Sequence, residues 1–438
     1  FPSGLRAVYR NGVPDSVNTY NTPVTILQDV VEHGLFVQDR WTPARKLTLN
    51  LGIRVDRTTS QQAASCQVET IFIVGRCFDA VEKIPDWLDV APRVAAIYDL
   101  FGDGRTAIKF GANRYMVGIG SGTIDLVNPI RVTSDTRPWA DRNGDLIPQL
   151  TELGPSTGFN LGTTNRYQPG FERPYAAEYS VEFEQQLMRD VVFSVAYFNR
   201  RFRRTIGSRN LAVPTAGYVP LQVTEVTSGR PVTVYNQDPT TRGRFDVLWD
   251  NAAELNRDFN GVDLNVNKRF DGRWMMIAGL SLGRNIGDIY GTADLNNPNF
   301  TFRRGRFGND VPVAAKVSAS YQLPYQVMLS GVAQHYTGFP ETTTVVVSNA
   351  TTTLTQVTQS IVVEPRATTR LPSVNLVDLT VKRAFKLDRV RIQPALDLFN
   401  IFNSNAIQAR TTVLGPAYRR ASNIVFGRMV KFAVNVDF

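Results

Sequence analysis

The sequence predicts an all-β chain, an antiparallel transmembrane β-barrel whose strands run up and down in order. Three observations predict it: long runs with apolar residues at every second position, connections alternating strictly between very short and long, and aromatic residues gathered beside the short ones. No stretch of about eighteen apolar residues occurs, so no transmembrane helix is expected. Barrel strands need none, because lipid-facing and lumen-facing residues alternate and average to an ordinary composition.

Two short strands come first, near residues 4–10 and 15–22. The run RKLTLNLGIRVD then sets Leu47, Leu49, Leu51, Ile53 and Val55 against Thr48, Asn50, Gly52, Arg54 and Asp56. PYAAEYSVEFEQQL places Tyr175, Ala177, Tyr179, Val181 and Phe183 outward and Glu178, Ser180, Glu182 and Glu184 inward. GVDLNVNKRF sets Val262, Leu264 and Val266 against Asp263, Asn265 and Asn267. The alternation returns in VAAKVSASYQL, SVNLVDLTVKRAF and VRIQPALDLFNIF, and the sequence closes on FGRMVKFAVNVDF, with Val430, Phe432, Val434, Val436 and Phe438 on one face. Each run is about ten to thirteen residues, the length a tilted strand needs to cross a bilayer. About thirteen to fifteen strands are expected.

The short connections are WTPAR near 41, FGDG near 101, MRD near 188, DG near 271, LPY near 323 and KLDR near 386. The long ones occupy roughly 58–92, 117–173, 205–255, 286–312, 338–372 and 403–424. Tight turns on one side and long loops on the other are the arrangement of an outer-membrane barrel, with the loops outside the cell. Trp41, Phe101, Phe270, Trp274, Tyr321, Tyr325, Phe385 and Phe438 lie beside the short turns, where rings with one wet and one apolar end form an interfacial girdle.

The chain of 438 residues carries a formal charge of +9. Its Lys and Arg are scattered rather than clustered with stacking aromatics, which argues against nucleic acid. The densest basic run, NRRFRRTIGSR from Asn199 to Arg209, is expected at a solvated rim or against anionic lipid head groups, including lipopolysaccharide. The sequence starts on Phe1 with no basic and apolar leader, so it reads as the later part of a longer protein. The two cysteines, Cys66 and Cys77, share one polar loop and have no His nearby at metal-ligand spacing, so a local disulfide in an external loop is expected.

No catalytic set is expected. The only histidines are His33 and His335, far apart, and no Ser, His and Asp or Cys and His arrangement is evident. Glu182 and Glu184 sit two apart on one strand face, about 7 Å, and read as polar lumen lining rather than a glycosidase pair. GIGSG at 118–122 lacks the strand and helix of a phosphate loop. DRNGDLIPQLTE, by contrast, offers Asp141, Asn143, Asp145, the backbone of Ile147, Gln149 and Glu152 at the oxygen-ligand spacing of an EF-hand-type calcium loop. Its glycine is misplaced, at Gly144 rather than at the position of Leu146, and Asp-Asn-Gly-Asp combinations also make ordinary turns.

GLFVQDRWTPARKLTLNLGIRVD (34–56), APRVAAIYDLFGDGRTAIKFGANRY (91–115), RPYAAEYSVEFEQQL followed by VVFSVAYFNRR, LDLFNIFNSNA (396–406) and the closing Phe, in this order, resemble the C-terminal barrel of TonB-dependent outer-membrane receptors. The likeness is strongest to the Oar-like branch, whose members carry a carboxypeptidase-regulatory-like domain upstream. The resemblance implies a whole protein with a barrel of about twenty-two strands, a plug and an upstream segment engaging the TonB complex, of which residues 1–438 are the later barrel part with long extracellular loops. It implies ligand capture by the external loops and TonB-dependent import of an iron chelate, an oligosaccharide or a peptide. The lumen wall would carry Arg54, Glu182, Glu184, Asp263, Arg269, Lys316, Asp378, Arg391, Asp397 and Lys431. The alternative is an adhesion or surface-assembly protein that uses the barrel as an anchor.

Overall fold

In a membrane wall the sheet register decides which side chains meet lipid, because a slip of one residue exchanges the two faces. The computed structural model describes residues 4–438 except 11, 23, 72, 73, 119, 129, 131–133, 155, 157–163 and 226. Its main sheet has fifteen strands among the described residues. Two of them, Arg304–Arg306 and Phe385–Leu387, are three-residue extensions at its ends. The other thirteen form one antiparallel meander.

We number them β1 (Gln28–Ala44), β2 (Leu47–Gln62), β3 (Val81–Asp99), β4 (Thr106–Met116), β5 (Tyr175–Met188), β6 (Val191–Arg203) and β7 (Arg257–Lys268). The remainder are β8 (Trp274–Asp288), β9 (Val313–Leu323), β10 (Val327–Tyr336), β11 (Val374–Arg383), β12 (Val390–Phe399) and β13 (Met429–Asp437). Every strand pairs with its sequence neighbour. The predicted short connections are tight turns, such as residues 45–46 and 189–190, and the long ones all emerge at the opposite end.

One register line runs through Trp41, Leu49, Ala96, Phe110, Val181, Tyr197, Val262, Leu282 and Val313, one residue from each of β1 to β9. A second joins Trp274, Tyr321, Leu329, Val381, Leu396 and Phe432. Both lie on the same face, and in its central part that face is apolar across the sheet save for Asp39 of β1, the register partner of Leu51. Its large side chains are open to the surroundings: Leu51 is 41% exposed, Val181 47% and Phe432 79%. An exposed apolar band of this kind belongs against hydrocarbon rather than water. The aromatic girdle stands at the short-turn end, with Trp274 and Tyr321 paired in register and Trp41, Phe101, Phe270, Tyr325, Phe385 and Phe438 exposed.

Three expectations are corrected. The first two short strands exist as Leu5–Arg10 and Val13–Tyr20, but they form a separate three-stranded sheet with Ser134–Pro138 from a long loop, outside the wall. The loop expected at 58–92 shrinks to residues 63–80, because β2 and β3 continue past the apolar segment with Thr58, Ser60 and Gln62 buried on one side. Arg269 lies one residue beyond β7, in the turn, where its N–H donates to the Asp190 carbonyl.

Buried apolar residues concentrate in the loops. The hairpin of Tyr218–Thr224 and Pro231–Gln237 and the hairpin of Thr344–Ser348 and Thr358–Val362 bury Val234, Val345, Val347, Leu354 and Ile361 together, so the loop crown has a core of its own. Cys66 and Cys77 form a disulfide between the short paired strands Ser65–Gln67 and Arg76–Phe78, at the long-loop end.

Candidate functional site: the polar wall and loop crown

The face opposite the apolar band carries the charges. Lys109, Glu182, Ala196, Asp263, Ser281 and Ala314 are successive register partners across β4 to β9. Arg54, Glu184, Lys316, Asp378, Arg391, Asp397 and Lys431 fall on the same face by strand alternation. Of the ten residues expected there, Arg269 alone lies off a strand.

Several of these charges are paired. Lys109 Nζ, which sequence reasoning passed over, bridges Glu182 at 3.1 Å and Glu184 at 2.8 Å. Arg54 pairs with Asp56 at 2.7 Å, and Asp397 accepts from Thr380 at 2.8 Å and lies 3.8 Å from Lys431. Asp378 accepts the N–H of Asn400. The side chains of Asp263, Lys316 and Arg391 have no hydrogen-bond or ion partner among the described residues. A wall with both signs, partly compensated and partly open, can solvate a polar solute without holding it by one strong contact.

Nearer the loops, Arg173 is buried against the inner side of β1, β2 and β3. Its guanidinium donates to Glu32 at 3.0 Å, Thr58 at 3.2 Å and Asp89 at 3.4 Å, and its Nε donates to the Val117 carbonyl at 2.8 Å. Trp87 packs beneath it and donates to the Phe171 carbonyl. This cluster ties the loop of residues 117–174 down into the wall. Only long-range pairing assembles it, so no local motif announces it.

The basic run from Asn199 to Arg209 is largely neutralised rather than bare, with Arg201, which donates to Asn199, as the exception. Arg200 pairs with Glu178, Arg203 with Asp258, Arg204 with Glu172, and Arg209 with Asp250 and Glu254. The acidic partners come from other strands and loops, so the run in sequence overstated the positive charge.

The DRNGDLIPQLTE segment is a compact turn. Asp141 accepts from the N–H groups of Gly144 and Leu146, and Asp145 from Ile147 and the side chains of Asn143 and Gln149. Glu152 is buried and accepts from the Arg142 N–H, the Trp139 indole and the Gln149 N–H, which hold its carboxyl below the usual range, the Arg142 bond foremost. Among the described residues no group of three or more His, Cys, Asp and Glu is arranged to hold a metal ion.

A family model described as outer membrane beta barrel domain matches residues 7–360. The chain belongs to that family. This barrel domain is therefore an outer-membrane protein, as its apolar band requires. No curated protein matches it in sequence. Among solved structures it shares its fold with the siderophore receptor PiuA from Acinetobacter baumannii, at TM-score 0.53 and 12% identity, over 97% of this chain and 44% of that one. It is also similar to the outer membrane transporter YddB from Escherichia coli, at TM-score 0.50 and 10% identity, covering 97% of this chain and 55% of the other. The ferric yersiniabactin uptake receptor FyuA from Yersinia pestis matches at TM-score 0.50 and 11% identity, over 98% and 48%. The chain thus spans about half the length of the solved structures it matches.

Proposed function

We propose that this barrel domain is the later wall and loop crown of an outer-membrane receptor, which captures a ligand outside the cell and passes it inward with energy from the TonB complex. The observation that carries the reading is the two-faced wall: an apolar band on one side and a line of charges of both signs on the other. Any barrel pairs an apolar outer face with a polar inner one; inner charges of both signs, some of them left without a partner among the described residues, suit the passage of a polar solute. The fold shared with receptors and transporters of the outer membrane supports it.

The wall is part of a larger barrel in this reading. Neither β1 nor β13 has a partner on its outer side among the described residues. Unpaired N–H and C=O groups are costly in lipid, where no water satisfies them, and in this reading further strands cover both edges. The adhesion or surface-assembly reading draws on the loop crown, whose independent core would suit a display surface.

The experiment compares cells carrying the full-length protein with and without a working TonB complex. Ligand accumulation that disappears with TonB supports the receptor. Cell attachment or surface assembly that persists without TonB, with no accumulation in either strain, assigns the barrel to anchoring.

A further inference from the structure

Where β6 and β7 rise toward the loops, Phe202 and Arg257 are register partners on the polar face. The Arg257 guanidinium lies between two rings, 3.7 Å from the centroid of Phe202 and 4.5 Å from that of Phe307. It has no carboxylate partner and donates no hydrogen bond among the described residues, and its Nε is fully buried. Of the neighbouring arginines, Arg200 pairs with Glu178, Arg203 with Asp258, and both Arg306 and Arg370 with Asp310, whereas Arg284, which also lines the cavity described next, has no carboxylate partner among the described residues.

Arg257 lines a cavity of about 260 Å³ together with Arg200, Phe202, Phe259, Asn285 and Asn309. Asp310 also borders it, but its carboxylate is spent on Arg306, Arg370 and the Asn285 N–H. A second orphan faces the same space: Asn285 donates to Asn309, while its own Oδ1 is buried without a donor. The aromatic wall is made possible by two glycines in register, Gly261 and Gly283, since a Cβ at Gly261 would stand 2.8 Å from the Phe259 ring.

A guanidinium keeps its charge inside a protein, so burying it without an acid leaves a cost that an incoming anion removes. We propose that this cavity is an oxyanion site for a small organic acid with a planar apolar body. The carboxylate meets Arg257, the body lies on Phe202 and Phe259, and a hydroxyl of the acid donates to Asn285 Oδ1. The site deepens the receptor reading and takes its biological meaning from it.

The test is calorimetric titration of the full-length protein in detergent, with 3-hydroxybenzoate as probe and its methyl ester and inorganic phosphate as comparators. Saturable binding of the acid is expected, with the ester silent and phosphate weaker. Arg257→Met should weaken the acid by about tenfold or more, and Arg257→Lys by less, because a point charge replaces the planar fork. Heat-modifiable gel migration of each variant establishes that it is folded. Binding of ester and acid alike, no binding by the parent protein, or unchanged binding by folded Arg257→Met would overturn the site. TonB-dependent uptake measured on the same protein separates the two ideas: uptake without acid binding removes this site and leaves the receptor, and acid binding without uptake does the reverse.

Discussion

Lys109 and Glu182 are register partners on the polar face, and the Lys109 ammonium stands 3.1 Å from Glu182 and 2.8 Å from Glu184 on the neighbouring strand. One cation thus holds two carboxylates that would otherwise repel. Its loss should cost only about 1 kcal/mol, because all three side chains are about a third exposed and screened by water. Lys109→Met should therefore destabilise the wall modestly in a urea unfolding experiment. The penalty should shrink when Glu182 and Glu184 are both changed to Gln, and an equal penalty on both backgrounds would show that the charges do not interact.

The disulfide between Cys66 and Cys77 closes a small loop at the tip of β2 and β3. A loop of this size gains roughly 3 kcal/mol in the chain-entropy model, but the gain is local to the tip. Reduction should speed proteolysis within residues 63–80 while leaving heat-modifiable barrel migration unchanged. Alkylation of both thiols on intact, unreduced cells would contradict the bond.

Glu225 sits in the turn between Tyr218–Thr224 and Pro231–Gln237 and accepts from the Ser228 hydroxyl and the N–H groups of Thr227 and Ser228. These bonds, the Ser228 hydroxyl foremost, lower its pKa from 4.5 to about 2. Because the folded value is depressed, the stabilisation is complete above the unfolded value and is lost as pH falls through that window. Protease sensitivity at residues 227–229 should rise between about pH 4.5 and pH 2. Glu225→Gln should show the raised sensitivity already at neutral pH, without the pH dependence.

Calcium binding by the segment from Asp141 to Glu152 would need Glu152 to exchange its three N–H donors for the ion. In that case, millimolar calcium should protect residues 141–152 from protease, and Glu152→Ala should abolish the protection. Identical cleavage with and without calcium would make the segment a self-capped turn.

The strands were legible wherever a two-residue period met strong apolar side chains. β2, β5, β7, β9, β11 and β12 lie where the alternation put them, because lipid on one side leaves no freedom of register. Legibility failed beyond the apolar segment. Thr58, Ser60 and Gln62 continue β2 as buried polar residues, and alternation of small polar side chains looks like loop. The pairing of Val13–Tyr20 with Ser134–Pro138 spans over a hundred residues, and no local pattern encodes such a contact. The same holds for Arg173 with Glu32, Thr58 and Asp89, and for Arg257 between Phe202 and Phe307. Alternation showed which residues share the polar face; which of them would be left without a counter-charge depended on loops folding back over it.

The division of the wall into a lipid face and a passage face is tested most directly at two adjacent residues of β2. Leu51 lies on the apolar face, opposite Asp39 and Val94, and Asn50 on the polar face, opposite Arg40 and Ala95. The measurement is the unfolding free energy of full-length Leu51→Arg and Asn50→Arg in lipid bilayers. Leu51→Arg should lose about 2–4 kcal/mol and Asn50→Arg less than about 1 kcal/mol. Equal losses at the two positions, or a larger loss at Asn50, would contradict the assignment of faces.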